Sequence, residues 1–136
     1  MKRLILSVLA VFTIAAVVVG CGSSNTALSG NTELEGTWTA TAPDNTSTTT
    51  FTFSGDDCTF TRPGVLQMSG TFNLSYAASP KTIDFYIATS SDPQYVGKTS
   101  LGIYLLSGTN LTLEIGMPGD ARPASFTEDG FNLVKQ

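Results

Sequence analysis

The sequence predicts an all-β domain, built as a small up-and-down antiparallel β-barrel of about eight strands. From Glu33 onward, short runs rich in Thr, Phe, Val, Ile and Tyr alternate between apolar and polar residues, which is the period of a strand. Turn residues recur every ~8–12 positions, a spacing typical of a sandwich or a barrel. No run after Cys21 has the 3.6-residue period or the capping residues of a helix.

Short hairpins connect the predicted strands. Residues 50–54 and 58–61 flank the turn Ser54-Gly55-Asp56-Asp57, and Gly70 predicts a bend or bulge within the longest alternating run. Short turns favour a simple meander that closes, because closure removes exposed strand edges. In chain order the predicted strands are residues 36–41, 50–54, 58–61, 66–76, 83–87, 98–106, 111–115, a short run at 125–126, and 131–134.

The chain begins with the pattern of a bacterial export signal. Lys2 and Arg3 precede an apolar run over residues 4–19, which is shorter than the ~20 residues of a membrane-spanning helix. Small residues follow this run. We therefore predict a signal peptide over residues 1–20 and keep an uncleaved signal anchor as the alternative.

The segment Val18-Val19-Gly20-Cys21 resembles a bacterial lipobox. The resemblance implies cleavage between Gly20 and Cys21 and a diacylglycerol on the Cys21 thiol, a palmitate-type modification that holds the protein to a membrane as a lipoprotein. Residues 21–32 are rich in Ser, Asn, Thr and Gly and predict a flexible tether. We expect an exported protein of the cell envelope, and Gly22 in place of an aspartate favours the outer membrane or cell surface over the inner membrane.

The net charge of the chain limits the classes of molecule that it is expected to bind. The full chain carries a net charge of −4, and loss of Lys2 and Arg3 with the signal peptide would change it to −6. The remaining cations form no basic stripe, so we exclude nucleic-acid binding and do not expect the domain surface to adhere to anionic headgroups.

The sequence contains no His, so it offers no conventional triad and few metal ligands. The acidic pairs Asp56-Asp57 and Glu128-Asp129 adjoin glycines and are interpreted as turn residues, because calcium loops need several spaced oxygen ligands. We expect no metal, no cofactor and no enzymatic activity. An unrecognised hydrolase, using two carboxylates or a Ser-Lys pair, is the least favoured alternative.

Cys58 is the one thiol that remains if Cys21 is lipidated. It shares a strand face with Phe60, which predicts a buried thiol in the core. A reactive thiol is the alternative, although the chain has no histidine to activate it.

Several segments together resemble a known family. Glu35-Gly36-Thr37-Trp38 resembles the Gly-x-Trp start of lipocalins, in which the tryptophan plugs one end of the barrel. The order of residues 80–84, 97–104, 111–113 and 118–126 is similar to an uncharacterised lipocalin-like domain family of secreted bacterial proteins, common in Planctomycetes. The resemblance implies a lipocalin-like β-barrel over residues 33–136 and, by analogy, an apolar ligand. Leu105 departs from it, since a charged residue is expected there.

Bulky residues on the inward faces either fill the barrel or line a pocket, and an interior cavity of a few hundred Å³ would favour the pocket. Arg122 either pairs with a ligand carboxylate at the barrel mouth or ties its loop to Asp120 or another acidic side chain. The candidate ligand-binding residues are Trp38, Phe51, Phe53, Phe72, Phe85, Tyr104 and Arg122.

We expect a lipid-anchored envelope protein that binds a small apolar molecule or an envelope component. The alternative is a structural or interaction module with a filled core and no ligand. In that case the run at residues 98–106, which is apolar on both faces, would present an exposed patch.

Overall fold

The computed structural model describes residues 31–42 and 46–136. The predicted signal peptide, Gly20, Cys21 and most of the predicted tether lie outside these residues. Over the described ranges, no helix has the length and apolarity needed to span a bilayer.

Eight antiparallel strands close into one barrel. Each strand pairs with the next in sequence, and the last pairs with the first. This confirms the predicted all-β class and the up-and-down barrel. The strands are β1 (Gly36–Thr41), β2 (Thr48–Ser54), β3 (Asp57–Arg62), β4 (Leu66–Ser75), β5 (Lys81–Ser90), β6 (Thr99–Ser107), β7 (Asn110–Ile115) and β8 (Phe131–Lys135).

Two strand assignments from the sequence need correction. The short run at residues 125–126 is not a strand, because both edges of β7 are already occupied by β6 and β8. Strand β5 continues to Ser90, into the segment interpreted as a loop. It does so because β4 continues to pair with it as far as Met68 and Ser90.

Gly70 lies at the bulge that the sequence predicted. The register between β4 and β5 shifts between Ser69 and Gly70, and a Cβ at Gly70 would collide with the Tyr86 carbonyl oxygen. Only glycine allows this close approach of two strands, and the bend helps the sheet to curve into a barrel.

One end of the barrel, which we call the closed end, carries the β2–β3, β4–β5 and β6–β7 turns. A 3₁₀ turn at Thr32–Leu34 lies across it and buries Leu34 completely. The Trp38 indole Nε1 donates a hydrogen bond to the Leu34 carbonyl at 2.7 Å, which ties β1 to this turn. The tryptophan thus packs at the closed end, as the lipocalin resemblance implied.

Asn31, the first residue that the structure describes, is bonded to the same end. Its side-chain amide donates to the Asp56 carboxylate at 2.7 Å and to the Phe72 carbonyl at 3.0 Å. Its Oδ1 accepts a hydrogen bond from the Leu74 amide at 3.1 Å. These three bonds fasten Asn31 to the closed end of the barrel.

Candidate functional site

The aromatic candidates from the sequence all lie inside the barrel, but they do not form one site. Trp38, Phe51, Phe53, Phe72, Phe85 and Tyr104 are each between 0 and 2% exposed. Only Phe51 and Phe85 border free space. The other four pack in the closed half of the barrel, where Phe53 and Phe72 meet edge to face at 4.8 Å. This half is filled by side chains.

The opposite end, which we call the open end, carries the β1–β2, β3–β4, β5–β6 and β7–β8 connections. Here an apolar recess of about 110 Å³ enters the barrel. It is smaller than the cavity of a few hundred Å³ that would have favoured the ligand hypothesis. Its lining residues come from seven strands and the start of the β7–β8 connection: Phe51, Phe60, Leu66, Met68, Phe85, Ser100, Ile115, Gly116, Met117, Pro118 and Phe131.

The recess is small because aromatic rings fill the space beneath it. The Phe51 ring meets the Phe60 and Phe131 rings edge to face, with ring centroids 4.9 Å and 5.4 Å apart. Edge-to-face pairs at these distances add to the stability gained from burial. The floor of the recess is therefore a rigid aromatic cluster.

The space of the recess remains open partly because Ser100 and Gly116 are small residues in its lining. Ser100 lies directly opposite Phe85 in the register of β5 and β6 and is 2% exposed. It supplies the single polar side chain of the lining.

Two methionines line the recess, Met68 from β4 and Met117 from the β7–β8 connection. Met117 is half exposed. Methionine side chains are flexible and polarizable, so they adapt to ligands of different shape. The rim of the recess is therefore more adaptable than its aromatic floor.

The β7–β8 connection, residues 116–130, covers one side of the recess and is fastened to the barrel. The Gly116 amide donates to the Leu101 carbonyl at 2.9 Å, and the Gly119 amide donates to the Thr99 carbonyl at 3.0 Å. Further along, the Thr127 amide and hydroxyl both donate to the Glu114 carboxylate at 2.9 Å. These bonds hold Met117 and Pro118 over the opening.

Arg122 belongs to this fastening and lies on the outer wall, not at the mouth. Its Nη1 donates to the Ile83 carbonyl at 3.1 Å and to the Gly102 carbonyl at 2.6 Å, and its Nη2 pairs with the Asp84 carboxylate. All of these acceptors belong to β5 and β6. The arginine thus ties its loop to the barrel, with Asp84 as the acidic partner in place of Asp120.

The outer face of β6 explains why this strand is apolar on both sides. Ile103 is 3% exposed although its side chain points away from the barrel interior, and the loop fastened by Arg122 crosses this wall. On β6, Leu105 is the large apolar side chain that remains exposed. The strand therefore presents one isolated apolar residue and no patch.

Cys58 lies in the core, as the sequence predicted. It is 1% exposed and packs in the closed half, opposite Phe53 and Gly70. Burial raises the pKa of the thiol, because desolvation disfavours the thiolate. The thiol is therefore protonated at neutral pH and does not border the recess.

Tyr104 is buried at the closed end, and its hydroxyl is without a hydrogen-bond partner among the residues that the structure describes. Burial raises its pKa, and the negative charge of Glu33 raises it further. Lys81 lies 5.9 Å from the Tyr104 ring and pairs with Glu33 at 2.7 Å. Tyr104 thus lies near the closed end of β6, whereas Ser100 and the recess lie at the open end of the same strand.

Three acidic side chains, Asp84, Glu114 and Glu35, each have a separate partner. Asp84 pairs with Arg122, Glu114 accepts from Thr127, and Glu35 accepts from the Gly55 amide at 3.0 Å. In the part of the chain that the structure describes, His, Cys, Asp and Glu side chains form no group of three that could hold a metal ion.

Other depressions lie on the outer surface. One of about 370 Å³ is lined mainly by Ser, Thr and Gln along β3, β4 and β5. Another of about 330 Å³ lies beside the β1–β2 connection and Glu128-Asp129. Both have several polar or charged side chains in their linings, whereas ligand sites are usually concave and apolar with few polar groups. The recess matches that description best.

No family model, curated protein or solved structure matches this chain. The eight-stranded barrel is consistent with a lipocalin-like fold.

Most recess residues were missed by the sequence interpretation, although alternation places five of them on inward faces. The signal for Ser100 was weaker but present. It shares a strand face with Tyr104, so a small polar residue stands where the pattern requires a large apolar one. The five residues with the stronger signal are Phe60, Leu66, Met68, Ile115 and Phe131.

Proposed function

We propose that this protein is a lipid-anchored protein of the bacterial envelope whose barrel binds a small apolar molecule at its open end. The observation that carries the proposal is the apolar recess with one polar side chain, Ser100. Recognition sites for small molecules combine an apolar lining with few fixed polar groups in this way. We propose binding and not catalysis, because the acidic side chains lie apart and have their own partners.

The volume of the recess limits what enters it. An apolar cavity of about 150 Å³ holds a benzene molecule, so a recess of about 110 Å³ accepts a slightly smaller group. The rest of a larger ligand would lie outside, against the rim around Met68 and Met117. Because each buried methylene contributes only about 0.8 kcal/mol, the inserted part of the ligand supplies modest affinity.

The position of Asn31 limits how far the proposed anchor lets the barrel stand from the membrane. Asn31 is bonded to the closed end, and the chain from Cys21 to Asn31 reaches at most roughly 35 Å. That reach is about the length of β5 alone, ~33 Å for a ten-residue strand. A lipid on Cys21 would therefore hold the closed end within about one barrel length of the bilayer.

Binding is tested with residues 22–136, a chain that contains all eight strands and every core residue. Met68 and Met117 are its two methionines, and both line the recess. We expect n-alkanols from propanol to octanol to shift both ¹³C-methyl NMR signals. Affinity should rise steeply for the first few carbons and more slowly once the recess is filled. Unchanged methionine signals across the series would refute the ligand-binding proposal.

The anchor has its own test in cells. Cys21→Ala should release the protein from membranes or leave the precursor unprocessed, whereas Cys58→Ala is the matched control and should leave membrane association intact. If Cys21→Ala left both membrane association and electrophoretic mobility unchanged, the lipoprotein proposal would be wrong.

A further inference from the structure

Ser100 presents a chemical mismatch within the recess. Its side chain is 2% exposed and lies among Phe85, Ile115 and Pro118 in an apolar lining. It is the one polar side chain among the lining residues. A ligand atom that enters the recess therefore meets a side-chain hydrogen-bonding group only at Ser100.

A residue chosen only to fill the barrel here would be apolar. The neighbouring inward residue of β6 is Gly102, and the strand continues inward with Tyr104. Alanine would leave nearly the same room as serine without a hydroxyl. Ser100 therefore adds a hydrogen-bond donor to the wall of the space where a ligand would lie.

The lining also restricts the charge of the ligand. None of its residues is ionisable at neutral pH, and moving a charged group into such surroundings is strongly unfavourable. A carboxylate or ammonium group would have to remain outside. The part of the ligand that enters is neutral.

We infer that Ser100 is a specificity-determining residue, and that the recess takes a neutral alkyl group bearing one hydrogen-bond acceptor, such as a ketone, ester or ether oxygen, which accepts from the Ser100 hydroxyl. The inference rests on the proposed function, since it names the ligand class of the same recess. Sites built to hydrogen-bond a ligand discriminate against analogues that lack the polar atom, because the buried group is then left unpaired.

The test uses two ligands of nearly equal shape, 2-pentanone and 2-methyl-1-pentene, which differ in a carbonyl oxygen against a methylene group. Each is titrated into ¹³C-methyl-methionine-labelled residues 22–136, and the ratio of the two dissociation constants is measured. Because the alkene is intrinsically more hydrophobic, the quantity compared is the change in this ratio on substitution. Ser100→Ala is the test variant, and Ser107→Ala, an exposed serine of the same strand, is the control.

The preference for the ketone should fall roughly 3- to 10-fold in Ser100→Ala, the size of one neutral hydrogen bond. It should stay unchanged in Ser107→Ala. Should Ser100→Ala fold poorly, Ser100→Cys keeps nearly the same volume with a much weaker donor and should lose the preference in the same direction. A ratio unchanged in both Ser100 variants would overturn the inference while leaving binding at the recess intact. Failure of both ligands to shift Met68 and Met117 would instead overturn the binding proposal itself.

Discussion

The two ends of this barrel are built from the same alternating strands, but one end is packed with side chains and the other contains a recess. At the closed end, Leu34 and Trp38 are fully buried and joined by a hydrogen bond of 2.7 Å. The Asn31 side chain makes three further hydrogen bonds there, one to the β2–β3 turn and two to β4. At the open end, a recess of about 110 Å³ remains beside Ser100. The difference separates a half that supplies stability from a half with room for a ligand.

The largest expected effect comes from emptying the closed half. Trp38→Ala removes a fully buried indole and its bond to Leu34, and should lower the free energy of unfolding by about 3–5 kcal/mol in urea denaturation. Phe131→Ala is the matched change at the open end. Its ring is partly exposed and already borders the recess, so the loss should be nearer about 2 kcal/mol. Equal losses would show that the two halves do not differ as described.

The next effect concerns Asn31, the first residue that the structure describes. Asn31→Ala leaves the Leu74 amide and the Phe72 carbonyl without their side-chain partner. We expect a loss of about 1–3 kcal/mol, the cost of unsatisfied buried polar groups. Thr32→Ala, at an exposed neighbouring position, should change stability by less than about 0.5 kcal/mol. If the two variants unfold at the same urea concentration, Asn31 does not fasten the closed end.

A smaller effect is expected from releasing the cover of the open end. Arg122→Met removes an ion pair with Asp84 that is partly exposed to solvent, together with two bonds to strand carbonyls. We expect a loss of about 1 kcal/mol, since exposed ion pairs contribute little. Hydrogen exchange at the Gly116 and Gly119 amides should accelerate. Arg62→Met, at an exposed position of β3, is the control, and equal acceleration in both variants would count against a fastening role.

The closed half was more predictable from the sequence than the open half. Alternation placed Phe53, Phe72 and Trp38 inside, and turn residues gave the order of the hairpins. These signals are local, because the side-chain period of a strand is fixed by its backbone. The bulge at Gly70 was predictable for the same reason, since an isolated glycine marks a close approach of backbones.

The open half depends on contacts that no local pattern encodes. Whether Phe51 fills or lines the interior depends on how the rings of Phe60 and Phe131 pack against it. The partner of Arg122 depends on the path of a fifteen-residue connection over β5 and β6. The sequence predicts an acidic partner for Arg122 as one alternative, but only the folded chain identifies that partner as Asp84.

We propose that the recess beside Ser100 is a binding site and not a packing defect. The most direct test is Ser100→Leu, which fills the recess from its own wall and should lower the free energy of unfolding by no more than about 1–3 kcal/mol. Ser107→Leu, at an exposed position of the same strand, is the control. In a titration with 2-pentanone, we expect the Met68 and Met117 signals to respond in the wild type and in Ser107→Leu but not in Ser100→Leu. An undiminished response in a well-folded Ser100→Leu would show that the recess is not the binding site.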